Sequence, residues 1–320
     1  MPGTAPRRKK ADTAAQEIVP SVSVSPALFE KFQQLIHQET GIWLGATKMA
    51  LLCGRLSRRL RVLGISGLEE YFELVAQPEH FSERVAMIDA ITTNETRFFR
   101  EAKHFKFLEA RVIPWWLRGA QQGLRPKTIR VWSAACSSGE EPYSVAMLLA
   151  AHLMPEQDWN VTILATDIST RMLERARAGI YEIAKSADIP ERLLKSFMLK
   201  GIAKEEGQMK VMPRIQEMVE FQRLNLAQGP YPPNGYFDLI LCRNVLIYFD
   251  IESKHKVVER LTRCLTGGGL LFLGHAENLS GIRSPLRSLA PAIYARAGGD
   301  TNSNPQLAAG NLGGALDLND

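Results

Sequence analysis

The sequence predicts an α/β protein: an open, doubly wound sheet with a small all-α domain before it and a small antiparallel β insertion within it. Three observations support this fold class. Residues 25–92 show apolar side chains at helical spacing only. In residues 93–297, apolar strand-like runs alternate with helix-like stripes, as in a largely parallel sheet. Between about residues 195 and 222, three short strand-like runs follow one another, which predicts the insertion.

Length and composition are those of a globular protein without a membrane span. The chain has 320 residues, of which 45% are hydrophobic, and a formal net charge of +5. This length is typical of about two domains with a sizeable core. Polar residues interrupt the longest apolar stretch, Val145–Met154, before it reaches the length of a transmembrane helix. We expect a cytoplasmic protein, and the modest positive charge permits an acidic partner.

The cysteines and histidines show no metal-binding pattern. Four widely spaced cysteines and six histidines form neither a C-x-x-C nor an H-E-x-x-H motif, so no metal is expected. Cys136 and Cys242 lie within motifs described below. Buried free cysteines usually pack as small hydrophobic side chains, and we expect packing here too.

The two ends of the chain differ from the rest in composition. Residues 1–24 are small and polar, and residues 298–320 are rich in Gly, Asn and Ala. Both are predicted to be disordered tails. The basic run Arg7–Lys10 is expected to be solvated, and a weak contact with a membrane or an acidic protein is the alternative.

The predicted helical domain contains one strongly basic helix. A first helix starts at Ser25-Pro26, a second follows Gly41, and a third lies near Leu68–Ala76. The polar side of the second helix carries five basic residues: Lys48, Arg55, Arg58, Arg59 and Arg61. This face is either a solvated surface or a docking surface for an acidic partner.

A strand, a tight turn and a helix occupy the centre of the chain. The strand Ile129–Ala134 is β-favouring, the helix Tyr143–Leu153 has an apolar stripe, and Pro142 suits a first helical turn. Only small residues lie between Ala134 and Gly139. A ligand can therefore approach the backbone closely at the carboxyl end of this strand.

This turn favours S-adenosylmethionine over a dinucleotide. It lacks a G-x-G-x-x-G motif, and Glu140 and Glu141 stand at the helix N-terminus, where a pyrophosphate would bind. Carboxylates suit the hydroxyl, amino and sulfonium groups of S-adenosylmethionine, which has no phosphate. A second strand, Val161–Thr166, ends in Asp167, which is placed for ribose hydroxyls. Sequence alone does not decide which of the two glutamates contacts the cofactor.

The remaining elements continue the alternation. A helix, Thr170–Ala178, is followed by three insertion strands, Ser196–Lys200, Gln208–Met212 and Met218–Phe221. A buried strand, Phe237–Cys242, and a second helix, Ser253–Leu265, come next. The two final strands are Leu270–Leu273 and Ile293–Arg296. The buried strand ends in Arg243 and Asn244, which should face the ligand crevice of an open sheet. Gly267–Gly269 is expected to cap the second helix.

Three motifs, in order, resemble those of the chemotaxis receptor methyltransferases (CheR). They are Thr93–Glu101 (TNETRFFRE), Ser133–Ser144 (SAACSSGEEPYS) and Cys242–Asp250 (CRNVLIYFD). The resemblance extends from about Pro26 to Arg296. It implies a Rossmann-like methyltransferase sheet, S-adenosylmethionine as cofactor and S-adenosylhomocysteine as product. It also implies methyl transfer to glutamate carboxylates of chemoreceptors, for sensory adaptation.

The resemblance assigns roles to individual residues. The cofactor-binding residues that it implies, together with those argued above, are Asn94, Thr96, Arg100, Glu141, Asp167, Asn225, Leu226, Arg243 and Asn244. Arg100 and Tyr248 are the predicted catalytic residues, because a guanidinium and a hydroxyl can orient a carboxylate. Glutamate, with a pKa of about 4.3, is already ionised and needs no general base. Without the resemblance, residues 94–100 would be helix-capping residues.

The resemblance also implies partners. The basic helical domain would meet the acidic methylation region of the receptor's cytoplasmic helical bundle, and in some relatives the insertion binds a tether at the receptor's C-terminus. We expect a monomer and no nucleic-acid partner.

Three other functions are compatible with parts of the sequence. Ala135–Gly139 resembles a nucleophile elbow, which predicts a serine hydrolase with Ser137 as nucleophile and Asp250 and His275 as its partners. A protein that only senses the cofactor would keep the same motifs. The basic helix, Arg55–Arg61, is a candidate nucleic-acid surface, although it lacks interleaved aromatic residues.

Overall fold

The structure is a computed structural model that describes residues 24–92, 94–153 and 158–297. The two predicted tails lie outside the described residues, except Val24, which packs in the core of the helical domain. None of the described helices is long and apolar enough to cross a membrane.

Four helices form the N-terminal domain: α1 Pro26–Thr40, α2 Met49–Leu63, α3 Leu68–Ala76 and α4 Phe81–Ile91. The Ser25 hydroxyl caps α1 by accepting from the Leu28 amide at 3.2 Å. Left-handed glycines, Gly41 and Gly64, end α1 and α2. The first three helices were predicted from apolar spacing. The fourth was not, because few of its residues are buried and its apolar stripe is weak.

The basic face of α2 is smaller than the sequence predicted. Arg59 forms a two-pronged ion pair with Glu83, at 2.9 and 2.5 Å, and Arg55 donates to the Ile91 carbonyl. Both side chains therefore hold α2 to α4. Of the five basic residues predicted on this helix, Lys48, Arg58 and Arg61 are exposed and form no ion pair with a described acidic residue. The basic face, whether it is a solvated surface or a docking surface, therefore consists of these three residues.

The α/β domain follows. Its elements are α5 Ala102–Phe107, α6 Ile113–Gln121, β1 Thr128–Ala134, α7 Glu140–Leu153, β2 Asn160–Asp167, α8 Thr170–Ala178, β3 Ile180–Glu182, α9 Glu191–Phe197, β4 Met198–Lys200, β5 Gln208–Val211, α10 Pro213–Gln216, β6 Val219–Arg223, β7 Phe237–Cys242, α11 Ile251–Cys264, β8 Leu265–Leu273, β9 Leu286–Ala290 and β10 Ile293–Arg296.

Seven strands form the main sheet in the order β6-β2-β1-β7-β8-β10-β9. The first five are parallel to one another, whereas β10 is antiparallel to both β8 and β9. Successive β1 residues pack on opposite faces: Val131 joins the core that contains α7, and Trp132 the core that contains α11. The sheet is therefore doubly wound. The strand order reverses between β1 and β7, which is where an open α/β sheet has its crevice.

The small antiparallel sheet exists, but its predicted composition is wrong in one strand. Its order is β3-β5-β4. Met218–Phe221, expected as the third insertion strand, instead lies largely in β6, which pairs in parallel with β2 at the edge of the main sheet. The missing partner is β3, which spans only three residues directly after α8 and has no alternating pattern. Ser196 and Phe197, predicted as strand, belong to α9.

Two helix boundaries also differ from the prediction. The central helix, α7, begins at Glu140 rather than Tyr143. The end of α11, at Cys264, lies within one residue of the predicted Leu265, but Gly267–Gly269 lies within β8 rather than capping a helix. The chain becomes extended at Leu265, which pairs with Phe237 of β7. Pairing with the sheet therefore overrides the glycine signal.

Candidate active site

A strained turn connects β1 to α7. Ala135, Ser137 and Gly139 have φ angles of 71°, 49° and 93°, and the amides of Ala135 and Cys136 donate to the Thr166 carbonyl at 2.8 and 2.9 Å. Glycine is required at position 139, because a Cβ there would lie 2.9 Å from the Cβ of Ala176. The turn thus fixes the end of β1 against the end of β2.

Asp167, at the end of β2, is held by backbone amides. One carboxylate oxygen accepts from the Ser137 amide at 2.7 Å and the other from the Ser169 amide at 2.9 Å. Each oxygen keeps a second lone pair for a ligand. Burial raises the pKa of Asp167, and the amide hydrogen bonds oppose that shift only in part.

The two glutamates at the start of α7 have different environments. Glu140 is fully buried, pairs with Lys185 and accepts from the Ser138 hydroxyl at 2.7 Å. Glu141 lines the cleft described below and accepts from the Ser133 hydroxyl at 2.6 Å. The structure therefore places Glu141, and not Glu140, where a cofactor would bind. Burial raises the pKa of Glu141 as well.

Arg243 lies between two carboxylates and has almost no exposed surface. It donates to Glu141 at 3.1 Å, to Glu101 at 3.0 and 3.3 Å, and to the Arg100 carbonyl. All three guanidinium nitrogens are thus engaged within the protein. Burial alone would raise the pKa of Glu101, but the charge of Arg243 and the hydrogen bonds from His275, Asn244 and Arg243 outweigh burial and lower that pKa.

Two residues that the sequence interpretation missed support this network. Glu101 also accepts from the Asn244 side chain and the His275 amide, both at 3.1 Å. Glu277 accepts from the Asn244 amide at 2.8 Å and from the Gly274 and Ile247 amides, and so joins the loops after β7 and β8. Glu277 could have been predicted as a residue near the site from its position shortly after the carboxyl end of a strand.

Glu101, His104 and His275 bring side-chain atoms that could bind a metal ion within 4.8 Å of one another. Burial and the nearby Arg243 lower the pKa of His104 to about 3, so its ring is neutral. The Arg243 guanidinium already lies 3.0 Å from Glu101 Oε2. The Glu101 carboxylate is therefore already paired with a cationic side chain, that of Arg243, in this structure.

Arg100 and Tyr248 lie on the cleft wall with free polar groups. Arg100 donates from one guanidinium nitrogen to the Glu95 carbonyl at 2.9 Å. Of the described residues, no other accepts a hydrogen bond from the Arg100 guanidinium, and none forms a hydrogen bond with the Tyr248 hydroxyl. Both can therefore address a ligand.

The helical domain forms one wall of the cleft. Thr40 and Ile42, which the sequence interpretation did not select, line it. The Asn225 side chain donates to the Glu39 carbonyl at 2.5 Å and accepts from the Ala227 amide at 2.9 Å. The hydrogen bond that Asn225 donates thus joins the two domains, whereas the one that it accepts lies within the loop after β6. No sequence pattern predicts a contact between residues as far apart in the chain as Glu39 and Asn225.

All ten predicted site residues line a single cleft of about 910 Å³, counting its open mouth. They are Asn94, Thr96, Arg100, Glu141, Asp167, Asn225, Leu226, Arg243, Asn244 and Tyr248. The cleft lies at the carboxyl ends of β1, β2, β6 and β7, where open α/β sheets bind their ligands. Cys136 also lines it, and burial raises the pKa of this thiol, which favours the neutral form.

The hydrolase triad does not assemble. Asp250 pairs with His37 at 2.5 Å, His275 packs its ring against His104, and the Ser137 hydroxyl donates to the Asn94 carbonyl at 3.0 Å. The three residues therefore have separate partners. The nucleic-acid alternative loses Arg55 and Arg59 to contacts within the helical domain.

The composition of the cleft agrees with S-adenosylmethionine. The Glu141 carboxylate faces the cleft from the first turn of α7 and the buried Asp167 carboxylate from the end of β2. Small residues leave the turn open, and Leu224 and Leu226 provide an apolar wall for a base. A doubly wound sheet whose switch-point cleft holds carboxylates, and lacks a glycine-rich phosphate-binding turn, fits the class of S-adenosylmethionine-dependent methyltransferases.

Comparison with known proteins identifies the family. The family model for the CheR methyltransferase all-alpha domain matches residues 27–92, and the model for the CheR SAM-binding domain matches residues 94–294. The chain therefore belongs to the CheR methyltransferase family.

Several curated relatives match over most of their length. A chemotaxis protein methyltransferase of Klebsiella aerogenes is 38% identical over 291 residues, covering 91% of this chain and 97% of that protein. The one of Escherichia coli is 38% identical over 275 residues, covering 86% and 92%. A probable chemotaxis protein methyltransferase of Rhizobium etli is 40% identical over 248 residues, covering 77% and 91%.

Proposed function

We propose that this protein is a protein-glutamate O-methyltransferase that transfers a methyl group from S-adenosylmethionine to glutamate side chains of chemoreceptors. The observation that carries this proposal is the convergence of ten residues, drawn from five separate parts of the chain, in one cleft. The names of the relatives, chemotaxis protein methyltransferases, support the biological setting. They support neither a hydrolase nor a module that only senses the cofactor.

The cofactor site is built from the ends of β1, β2, β6 and β7. Asp167 would accept from the ribose hydroxyls, since each of its oxygens retains a lone pair. Glu141 would contact the amino-acid end, with Arg243 holding its second oxygen in place. Asn94, Thr96, Asn225, Leu226 and Asn244 would complete the pocket.

The bound cofactor supplies an electrophilic methyl group on a positively charged sulfur. In the transfer, a bond forms between a carboxylate oxygen and the methyl carbon while the bond from that carbon to sulfur breaks. The products are a glutamate methyl ester and S-adenosylhomocysteine, and no proton moves. Because the nucleophile is already ionised, the protein's work is in-line positioning.

Arg100 and Tyr248 would position the receptor carboxylate. Arg100 has free guanidinium nitrogens at the cleft and Tyr248 an unengaged hydroxyl. Each can hold the carboxylate by a hydrogen bond. Too tight an ion pair would weaken the nucleophile, so Tyr248 as the second, neutral donor limits this effect.

Lys48, Arg58 and Arg61 would dock the acidic methylation region of the receptor bundle, because opposite charges steer and orient association. The small antiparallel sheet is the candidate site for a receptor tether. We further propose that the enzyme acts as a cytoplasmic monomer, reaching receptors from the membrane's inner side.

Methyl transfer to chemoreceptor-containing membranes tests this function. With S-adenosylmethionine labelled in its methyl group, we expect label on the receptor band that mild alkali releases as methanol, since esters hydrolyse and methylamines do not. Alkali-stable label would show a different acceptor group. No label, with cofactor binding intact by calorimetry, would contradict a receptor substrate.

A further inference from the structure

Three large apolar side chains are exposed around Tyr248. Trp43 is 50% exposed, Ile247 is 48% exposed and Ile251 is 62% exposed. Trp43 comes from the helical domain and the two isoleucines from the loop after β7 and the start of α11. In the described parts of the chain, none of the three belongs to an apolar core. Their apolar surface therefore faces water in the part of the chain next to Tyr248, which lines the cleft.

Backbone hydrogen bonds hold Trp43 beside Tyr248. The Trp43 amide donates to the Tyr248 carbonyl at 2.9 Å, and Ile42 forms an antiparallel bridge with Phe249. The two domains are thus joined next to the proposed catalytic tyrosine. This fixes the distance between Trp43 and the loop that carries Ile247.

A side-chain pair fixes the same region from the other side. His37 Nε2 lies 2.5 Å from Asp250 Oδ2, and the His37 ring packs edge-on against Trp43 with centroids 5.5 Å apart. Asp250 also accepts from the Ser253 amide at 2.9 Å at the start of α11. Ile251 follows directly, so the segment that carries it is anchored to the helical domain.

We propose that Trp43, Ile247 and Ile251 form an apolar recognition rim that receives uncharged side chains of the receptor helix next to the substrate glutamate. This inference rests on the proposed function, because it takes the receptor helix as the partner. It assigns to the rim a part in substrate selection that is separate from cofactor binding.

Helix geometry explains why the rim would select substrate glutamates by the residues that lie next to them on the receptor helix. A glutamate that enters the cleft from a helix brings the residues three and four positions away onto the same face. Because the rim lies beside Tyr248 along the backbone, those residues would contact the rim when the carboxylate reaches Tyr248. An apolar rim stabilises uncharged neighbours by excluding water, whereas a charged neighbour would lose hydration without a partner. Acidic residues elsewhere on the bundle remain available to Lys48, Arg58 and Arg61.

Trp43→Ala is the test, with Leu124→Ala as the matched control. Leu124 is 76% exposed and lies between α6 and β1, at the opposite edge of the sheet from the cleft. The assay measures kcat and KM for a chemoreceptor in membrane vesicles, and calorimetry measures the Kd for S-adenosylhomocysteine. We expect the receptor KM to rise about tenfold in Trp43→Ala, since truncated tryptophans are frequent interface hot spots. The cofactor Kd should stay unchanged, and Trp43→Phe should restore most of the affinity.

The outcomes separate this inference from the proposed function. An unchanged receptor KM in Trp43→Ala, with the wild type active, would overturn the rim alone. Equal loss of cofactor and receptor affinity would also overturn it, by showing a purely structural role for Trp43. A wild type that binds cofactor but methylates no receptor would overturn the proposed function and the rim with it.

Discussion

Arg243 shows how one buried charge organises the site at the scale of single residues. An arginine is costly to bury unless its donors are satisfied, and here Glu101, Glu141 and the Arg100 carbonyl satisfy them. The same hydrogen bonds fix two cleft residues, Glu141 and Arg100, relative to each other. Arg243 therefore supports the residues around it, and we infer that any contact it makes with the cofactor is secondary.

Replacing Arg100 with alanine should separate catalysis from cofactor binding. We expect kcat for receptor methylation to fall about a hundredfold, because a lost positioning donor costs on that order. The Kd for S-adenosylhomocysteine should change much less. Arg97→Ala is the control, since Arg97 is an exposed neighbour whose ion pair with Asp188 is long, at 3.9 Å. Greater loss of cofactor affinity than of kcat would make Arg100 a cofactor ligand only.

Cofactor affinity should depend on pH through the buried carboxylates. Burial raises the pKa of both Asp167 and Glu141. A carboxylate that accepts from cofactor hydroxyls, or faces its positive charges, must be ionised. Cofactor affinity is therefore highest above the raised pKa values of the two carboxyl groups, and it weakens as the pH falls through those values. Calorimetric titration with S-adenosylhomocysteine from neutral to mildly acidic pH measures this.

The variant Asp167→Asn assigns part of that pH dependence. It keeps the size of the side chain but removes its charge and one acceptor. We expect affinity at neutral pH to fall about tenfold to a hundredfold, the usual cost of a charge-assisted hydrogen bond. The pH dependence should become shallower. Wild-type affinity in Asp167→Asn would show that Asp167 does not contact the ribose.

At the scale of elements, the turn between β1 and α7 should be sensitive to added volume. Gly139→Ala adds a Cβ 2.9 Å from Ala176 on a backbone at φ 93°, and we expect a loss of about 1–3 kcal/mol in the free energy of unfolding. Gly207→Ala is the control, because Gly207 has a similar φ of 85° and no atom within 4 Å of an added Cβ. Thermal unfolding compares them. Equal losses would mean that backbone strain, not the contact with Ala176, limits the turn.

Sequence patterns predicted the elements that carry a strong period or a motif. The strands at Ile129–Ala134 and Phe237–Cys242 and the helix Thr170–Ala178 are present as predicted, with at most one residue's difference. Errors occurred where tertiary pairing decides the outcome. Val219–Arg223 became an edge strand of the main sheet because β2 offered a free parallel edge, and a strand's partner is not encoded locally.

The candidate site was predictable at motif positions and not at supporting positions. Glu141 and Asp167 follow from strand ends and from carboxylates at a helix start, and family motifs supplied Arg100 and Tyr248. Glu101 and Ile42 were missed. Glu101 contacts Arg243 across 142 positions of sequence, and no spacing rule relates residues so far apart.

At the scale of the whole molecule, the cleft depends on contact between the two domains. Gly41→Ala would place a Cβ 2.8 Å from both Ala227 and Phe249, on a backbone at φ 71°. We expect cofactor affinity to fall about tenfold, because a displacement on the order of 1 Å in a site is costly. Gly64→Ala is a close control: Gly64 ends α2 at φ 69°, with nothing near an added Cβ. Similar affinities in both variants would show that the helical domain is not needed to shape the site.

The most direct test of the account is to map the methylated residues on a chemoreceptor by tandem mass spectrometry. The wild type should add one methyl group to individual glutamate side chains, and Arg100→Ala should lose this modification while still binding S-adenosylhomocysteine. Modification of lysine, arginine or cysteine side chains instead, or undiminished glutamate methylation by Arg100→Ala, would contradict the proposed chemistry of the cleft.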